Sequence, residues 1–190
     1  MKSAIFIDRD GTLIREVNFL HRPDQVALIP GIHQAIKRAN ALNLPVIVVS
    51  NQSGVGRGYF SVDDVNLVHS HISALLSDHQ AHIDGYYFCP HSPPDPSNAI
   101  SDCQCRKPNP GMFFEASRDF KIDLGTSVMI GDKSLDIEAG RNLNMVTVLV
   151  ETGYGRKSLP DVELFKPSFV CNNASTAIHF FLDSYETKTF

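Results

Sequence analysis

No apolar run in the 190-residue chain approaches the roughly 20 residues that a helical bilayer span requires. Lysines and arginines never gather into a long basic run, and the formal net charge is −4. Together these features argue against a general nucleic-acid or membrane-surface binder. A phosphorylated substrate stays open, because the charge of a local site can oppose the net charge. There is no internal repeat and no linker long enough to divide the chain, so a single domain over residues 1–190 is expected. The first residues enter a strand pattern almost at once and leave no room for a signal peptide, which makes a cytoplasmic protein the expectation. Without long coiled or exposed apolar segments, a monomer is the default. Cysteine is scarce: Cys89, Cys103, Cys105 and Cys171 are the full set. Four would permit two disulfides, but a close cluster in a cytoplasmic enzyme of this size reads better as metal ligands. Cys171 stands apart and reads as a small buried apolar residue.

What is present fits a globular protein able to bury a substantial core, with 43% hydrophobic and 20% charged residues. Short apolar runs alternate with helical periodicity. Strands are expected at Ala4–Ile7, Pro45–Val49, Asp84–Cys89, Ser127–Ile130, Met145–Val150 and, at an edge, Phe169–Cys171. Helices are expected at Gly31–Asn43, Ser61–Asp78, Gly111 to about Phe120, Ser134–Asn142 and Ala174–Asp183. Ser61 followed by Asp64 reads as a capping box. Residues 14–30 have no clear period and follow the first strand, as a connecting loop or as a border to a site. The alternation implies an α/β fold: an open, doubly wound, mostly parallel sheet covered on both faces.

Four strand-end segments carry chemistry. Asp8-Arg9-Asp10-Gly11-Thr12 delivers two carboxylates to the end of the first strand, and two aspartates at i and i+2 on an extended segment point to one side. Asp8 can attack a phosphorus atom to give an aspartyl-phosphate. Asp10 can protonate the leaving alkoxide and then activate water. Ser50 through its hydroxyl and Asn51 through its backbone can hold phosphoryl oxygens, and Lys107 can neutralise the charge that spreads in the transition state. An anionic nucleophile and an anionic phosphate repel, so a hard Mg²⁺ is expected on Asp8, the Asp10 backbone carbonyl and Asp132. Lys133 and Asp136 would adjoin it as a charged shell. Each position also has a structural reading, such as a turn for Gly131-Asp132 or a helix surface for Asp136.

Residues 90–110 break the pattern, being rich in Pro, Ser, Asn and Asp and too long for an ordinary connection. Around them, Cys89-Pro90-His91 and Cys103-Gln104-Cys105 supply three sulfurs and one imidazole, a donor set that tetrahedral Zn²⁺ takes readily. A structural zinc on Cys89, His91, Cys103 and Cys105 would fasten this loop, about 89–110, and so fix Arg106 and Lys107. Reduced cysteines with an incidental histidine are the alternative.

The segments Asp8–Thr12, Ser50-Asn51, Arg106-Lys107-Pro108 and Gly131-Asp132-Lys133 resemble, in order, the four motifs of the haloacid dehalogenase superfamily, and the second aspartate resembles its phosphatase branch. The resemblance implies a Rossmann-like fold, here without a large cap domain. Cys-Pro-His, Cys-x-Cys-Arg-Lys-Pro-x-Pro-Gly and Asn-Gln-Ser-Gly-x-x-Arg-Gly narrow it to the heptose-bisphosphate phosphatases. That family removes the 7-phosphate of D-glycero-D-manno-heptose 1,7-bisphosphate during assembly of nucleotide-heptose precursors of bacterial surface glycans. It implies a small sugar bisphosphate as partner, with Ser50, Asn51, Gln52, Ser53, Arg57, Arg106, Lys107 and Lys133 around the substrate. Glu16, Val17, Asn18 and Phe19 match its substrate loop in position. Histidinol-phosphate phosphatases share the zinc loop and are the enzymatic alternative. A non-catalytic binding or assembly protein on the same fold is the second.

Overall fold

A computed structural model of the chain describes residues 1–93, 103–161, 164 and 166–188. Among these residues, six strands form one parallel sheet: β1 (Ile5–Ile7), β2 (Val46–Asn51), β3 (Gly85–Cys89), β4 (Val128–Gly131), β5 (Val146–Val150) and β6 (Phe169–Cys171). Their order is β3-β2-β1-β4-β5-β6. Central β1 pairs with β2 through Ile5↔Val46 and with β4 through Ile5↔Val128. The chain therefore winds outward in one direction from β1 and then returns to build on its other side. In such sheets the carboxyl ends beside the reversal form the crevice where ligands bind.

Among the described residues, the helices are α1 (Ile32–Ala41), α2 (Ser53–Gly56), α3 (Val62–Ser77), α4 (Gly111–Phe120), α5 (Ser134–Asn142), α6 (Gly155–Ser158) and α7 (Ala174–Lys188). Strand alternation divides the core into two layers. Ile5, Ile7, Val46, Val48, Val128 and Ile130 pack with side chains of α1, α3 and α7. Phe6, Ile47, Val49 and Met129 pack on the other face with Met112, Phe113 and Ala116 of α4 and Ala139 of α5. All of these are buried on both faces of a parallel sheet, which is why the strands read as continuous apolar runs rather than alternating ones.

Several boundaries differ from the sequence expectation. β2 continues through Ser50 to Asn51, because its partner β3 pairs with it as far as Cys89. The glycine-rich stretch after it begins with the single turn α2 rather than a loop. α7 runs five residues beyond Asp183. Ser61 does cap α3: its hydroxyl accepts from the Asp64 N–H at 3.1 Å, and the Asp64 carboxylate accepts from the Ser61 N–H at 2.7 Å. Cys171 is half-buried on β6 and packs against the first core layer. The centre of the predicted 89–110 loop, residues 94–102, lies outside the described residues.

Candidate active site

The expected functional segments converge at the carboxyl ends of β1, β2 and β4. The extended segment stops at Ile7, earlier than the Asp-x-Asp reading assumed. Asp8 still bonds to β4 through its N–H and the Ile130 carbonyl (2.9 Å), and then the chain turns. The Leu13 N–H closes that turn onto the carbonyls of Asp8 (3.2 Å) and Arg9 (3.0 Å). Two aspartates on one extended face is therefore not the arrangement. Asp8 points into a buried ionic cluster, whereas Asp10 borders an open cleft. Gly11 makes the turn possible: its φ is +85°, and a Cβ there would lie 2.2 Å from Asp132 Oδ2.

Asp8 faces Lys107, whose Nζ donates to Asp8 Oδ1 (2.7 Å) and to the Val49 carbonyl (2.7 Å) and lies 2.6 Å from Asp136 Oδ1. Burial alone would depress the lysine's pKa, but Asp136 and Asp8 override it and hold the ammonium above its ordinary value. Asn51 fixes the lysine's backbone, accepting from the Lys107 N–H (3.0 Å) and donating to its carbonyl (3.1 Å). Asp132 is fully buried after β4; its Oδ2 accepts from the Tyr154 N–H at 2.8 Å, while its Oδ1 has no hydrogen-bond partner among the described residues. Burial first, and the Asp8 charge second, push this carboxyl up to about 8. Asp136 is also fully buried and displaced upward by burial, with Lys107 opposing. It is no helix-surface residue. Its Oδ2 accepts from the Lys133 N–H at 3.0 Å, so it ties the start of α5 to the cluster.

Asp10 has different company. Its carboxylate accepts from Arg9 and from Gln52 Nε2 (2.9 Å), and Gln52 Nε2 also donates to Ser50 Oγ at 3.2 Å. Asp10 lines a cleft of about 220 Å³ together with Glu16, Asn18, Phe19, Lys133 and Tyr154. Val17, Asn51, Gln52 and Ser53 complete its expected lining. Of residues 14–30, Glu16 to Leu20 border this cleft. Lys133 Nζ lies 3.9 Å from Glu16 Oε2 and 4.8 Å from the Tyr154 ring centroid. Burial opposes its charge, yet Asp8 and Asp132 hold its pKa above the ordinary lysine value. Burial pushes the Glu16 carboxyl up, against the pull of Lys133. Ser50 and Lys107 are buried behind the cleft, and Arg57 is exposed outside its lining. Arg106 donates to the His91 carbonyl at 3.1 Å. It is half-buried, and burial and the nearby Arg57 charge both lower its pKa.

Among the described residues, two donor sets suit metal ions. Asp8, Asp132 and Asp136 each offer a carboxylate oxygen, all within 4.8 Å of one another. Hard oxygen donors, a buried carboxylate oxygen that accepts no hydrogen bond among the described residues and excess negative charge fit a hard divalent cation. Cys89, His91, Cys103 and Cys105 form the second set. Cys89 Sγ lies 3.5 Å from both His91 Nδ1 and Cys103 Sγ, and Cys105 Sγ lies 3.4 Å from His91 Nδ1. Those separations are too long for a disulfide and close to tetrahedral edges around bonds of about 2.0–2.3 Å.

A family model described as HAD-hydrolase-like matches residues 104–177. D-glycero-beta-D-manno-heptose-1,7-bisphosphate 7-phosphatase of Pasteurella multocida is 42% identical over 154 residues, 80% of this chain and 84% of that protein. The chain belongs to the heptose-bisphosphate phosphatase family. A second member, D-glycero-D-manno-heptose-1,7-bisphosphate 7-phosphatase of Thermosynechococcus vestitus, is 36% identical across 93% of this chain and 94% of its own. The crystal structure of D,D-heptose 1,7-bisphosphate phosphatase from B. bronchiseptica, complexed with magnesium and phosphate, superposes with a TM-score of 0.86 at 32% identity. That match covers 97% of this chain and 99% of the other.

For this phosphatase, sequence reasoning passed over four contributors to the site. Arg9 is 1% exposed and bonded to Asp10 and Gln52. Its charge gave no hint of burial, although its place between two aspartates could have. Tyr154 follows β5 and both lines the cleft and fixes Asp132. Only the Gly153 turn beside it marked the position. Phe60 and Leu20 close the cleft from segments without a motif.

Proposed function

We propose that this chain removes the 7-phosphate of D-glycero-D-manno-heptose 1,7-bisphosphate, through an aspartyl-phosphate on Asp8, to supply nucleotide-heptose for surface glycans. The observation that carries the reading is the pairing of buried Asp8 with Lys107 beside the cleft that Asp10 lines, in a chain 42% identical to an enzyme of that name. Lys107 occupies Oδ1 of Asp8, which leaves Oδ2 to attack. The oxygen–phosphorus bond to Asp8 forms as the bond to the substrate's C7 oxygen breaks, and Asp10 gives that oxygen its proton. Asp10 then takes a proton from water, the water oxygen bonds to phosphorus and Asp8 is released. The Ser50 hydroxyl, the Asn51 backbone and Lys107 hold the phosphoryl oxygens.

Asp8, the Asp10 carbonyl and Asp132 would hold Mg²⁺, which supplies charge neutralisation between carboxylate and phosphate. Cys89, His91, Cys103 and Cys105 would hold a structural Zn²⁺ with no open position. Glu16 to Phe19, Gln52, Ser53 and Lys133 would contact the sugar. Arg57 and Arg106, close enough for each charge to act on the other, would take the far phosphate, which relieves their repulsion. We take residues 1–190 to work as one domain, a cytoplasmic monomer with no nucleic-acid or membrane partner. Among the described residues, no helix is long and apolar enough to cross a membrane.

The test is phosphate release with Mg²⁺ from both anomers of heptose 1,7-bisphosphate and from histidinol phosphate. A heptose bisphosphate should give the largest kcat/KM, and Asp8→Asn should cost about 10³-fold or more while preserving the fold. A preference for histidinol phosphate would overturn the substrate. Wild-type turnover by Asp8→Asn would overturn the nucleophile, and absence of turnover in the wild type would favour a binding protein.

A further inference from the structure

We infer that Arg9 and Gln52 are positioning residues for the acid/base carboxylate: they hold Asp10 in a closed clamp on which proton transfer depends, while the nucleophile has a separate support. The inference rests on the acid/base role proposed for Asp10. Arg9 Nε donates to Asp10 Oδ2 at 3.0 Å and Nη2 to Oδ1 at 3.2 Å, so both oxygens of the carboxylate are gripped by one guanidinium. Gln52 closes the ring. Its Oε1 accepts from Arg9 Nη2 at 2.8 Å, and its Nε2 donates to Asp10 Oδ2 at 2.9 Å. The amide has one satisfactory orientation, because a flip would set its NH₂ against the guanidinium and its oxygen against a carboxylate.

The clamp is anchored at three further points. Arg9 Nη2 reaches the Leu20 carbonyl (3.3 Å), the Gln52 N–H donates to the Cys89 carbonyl (2.8 Å), and Gln52 Nε2 bonds to Ser50 Oγ. Arg9 and Gln52 are almost wholly buried, while the Asp10 side chain keeps 18% of its surface exposed toward the cleft. Proton transfer demands that the carboxyl lie within hydrogen-bond reach of the leaving oxygen, so an unrestrained side chain at Asp10 would spend much of its time misdirected. Among the described residues, neither Arg9 nor Gln52 makes a hydrogen bond or ion pair to Asp8 or Lys107. Each carboxylate has its own cation: Lys107 for Asp8 and Arg9 for Asp10. Loosening the clamp should therefore impair protonation of the leaving group more than attack on phosphorus.

Substituted phenyl phosphates separate the two, since they share shape and differ in how much the leaving oxygen needs a proton. We expect Gln52→Leu and Arg9→Lys to lower kcat/KM for unsubstituted phenyl phosphate by about 10-fold or more, with a progressively smaller loss toward p-nitrophenyl phosphate. Asp10→Asn should give the same trend, and adding Gln52→Leu to it should bring little further loss. Equal losses across the series for Gln52→Leu, or full additivity in the double variant, would overturn the clamp, since a merely structural role predicts both. If Arg9→Lys fails to fold, Gln52→Leu alone decides the matter. An Asp10→Asn variant indifferent to the leaving group would instead overturn the acid/base reading itself.

Discussion

An ammonium group with almost no exposed surface persists at Lys107 because carboxylates lie 2.7 and 2.6 Å away in Asp8 and Asp136. Removing one member of such a set leaves uncompensated buried charge, which costs more than the intact interaction contributes. Lys107→Met should lower the unfolding free energy at neutral pH by about 3–5 kcal/mol, read from urea melts at constant m-value. A change within about 0.5 kcal/mol would show that the cluster relaxes into water. Motif spacing singled out Asp8, Asp10 and Asp132, because each lies within three residues of the end of a short apolar run, and Lys107, because it closely follows the Cys103-Gln104-Cys105 donor pair. It did not reveal that Asp136 lies at the centre of the cluster, since one turn into a helix the sequence cannot say which face meets the site. Nor could it show Arg9 folding back on its own neighbour, an outcome of the turn at Gly11 rather than of local propensity.

At the level of elements, strand and helix positions were legible wherever apolar residues keep a period, and α4 and α5 match at both ends. The misses have a common cause. The end of β2 is set by pairing with β3, and α7 extends because it packs along α1 and the sheet, both of which are tertiary effects. The thiol-imidazole cluster belongs at this scale because it joins the end of β3 to the approach to α4. Cys103→Ser should drop bound zinc from about one ion per chain to well below it, with faster proteolysis near residues 89–110, because such a site contributes its binding free energy to local folding. Unchanged zinc content would refute the four-ligand site. A second prediction concerns α3 against β3. His69 stacks on Tyr86 with centroids 4.5 Å apart and is buried, and its Nε2 has no hydrogen-bond partner among the described residues. Burial, then the nearby Arg9 charge, lowers its pKa from 6.5 to about 3. The unfolded chain therefore binds more protons than the folded one between those values, so stability is present above the unfolded pKa and falls as pH drops from 6.5 toward 3. His69→Phe should flatten that fall by up to about 1.4 kcal/mol per pH unit in urea melts between pH 6 and 4. An unaltered slope would mean that His69 reaches water.

For the whole molecule, a net charge of −4 says little about where the charge resides, and the decisive part is concentrated where β1 and β4 end. Folding brings Asp8, Asp132 and Asp136 together, and Asp132 responds with a carboxyl pushed up to about 8. Such a group is less costly protonated than charged in the metal-free fold. Its folded pKa exceeds its unfolded one, so metal-free stability declines as pH rises from about 4 toward 8. A divalent cation bound only by the folded chain reverses this burden and ties global stability to its own concentration. With Mg²⁺ at ten times its dissociation constant, the unfolding free energy should rise by about 1.4 kcal/mol. Asp132→Asn separates the two sides of the balance. The metal-free variant should be more stable than the metal-free wild type at pH 8, because a strained buried carboxylate is gone, while its response to Mg²⁺ should largely vanish. Urea midpoints for both proteins, with and without Mg²⁺, read these changes directly. A variant that keeps the full Mg²⁺ increment would remove Asp132 from the metal site. One that loses stability without metal would show that the Tyr154 N–H bond to Asp132 outweighs the repulsion from Asp8.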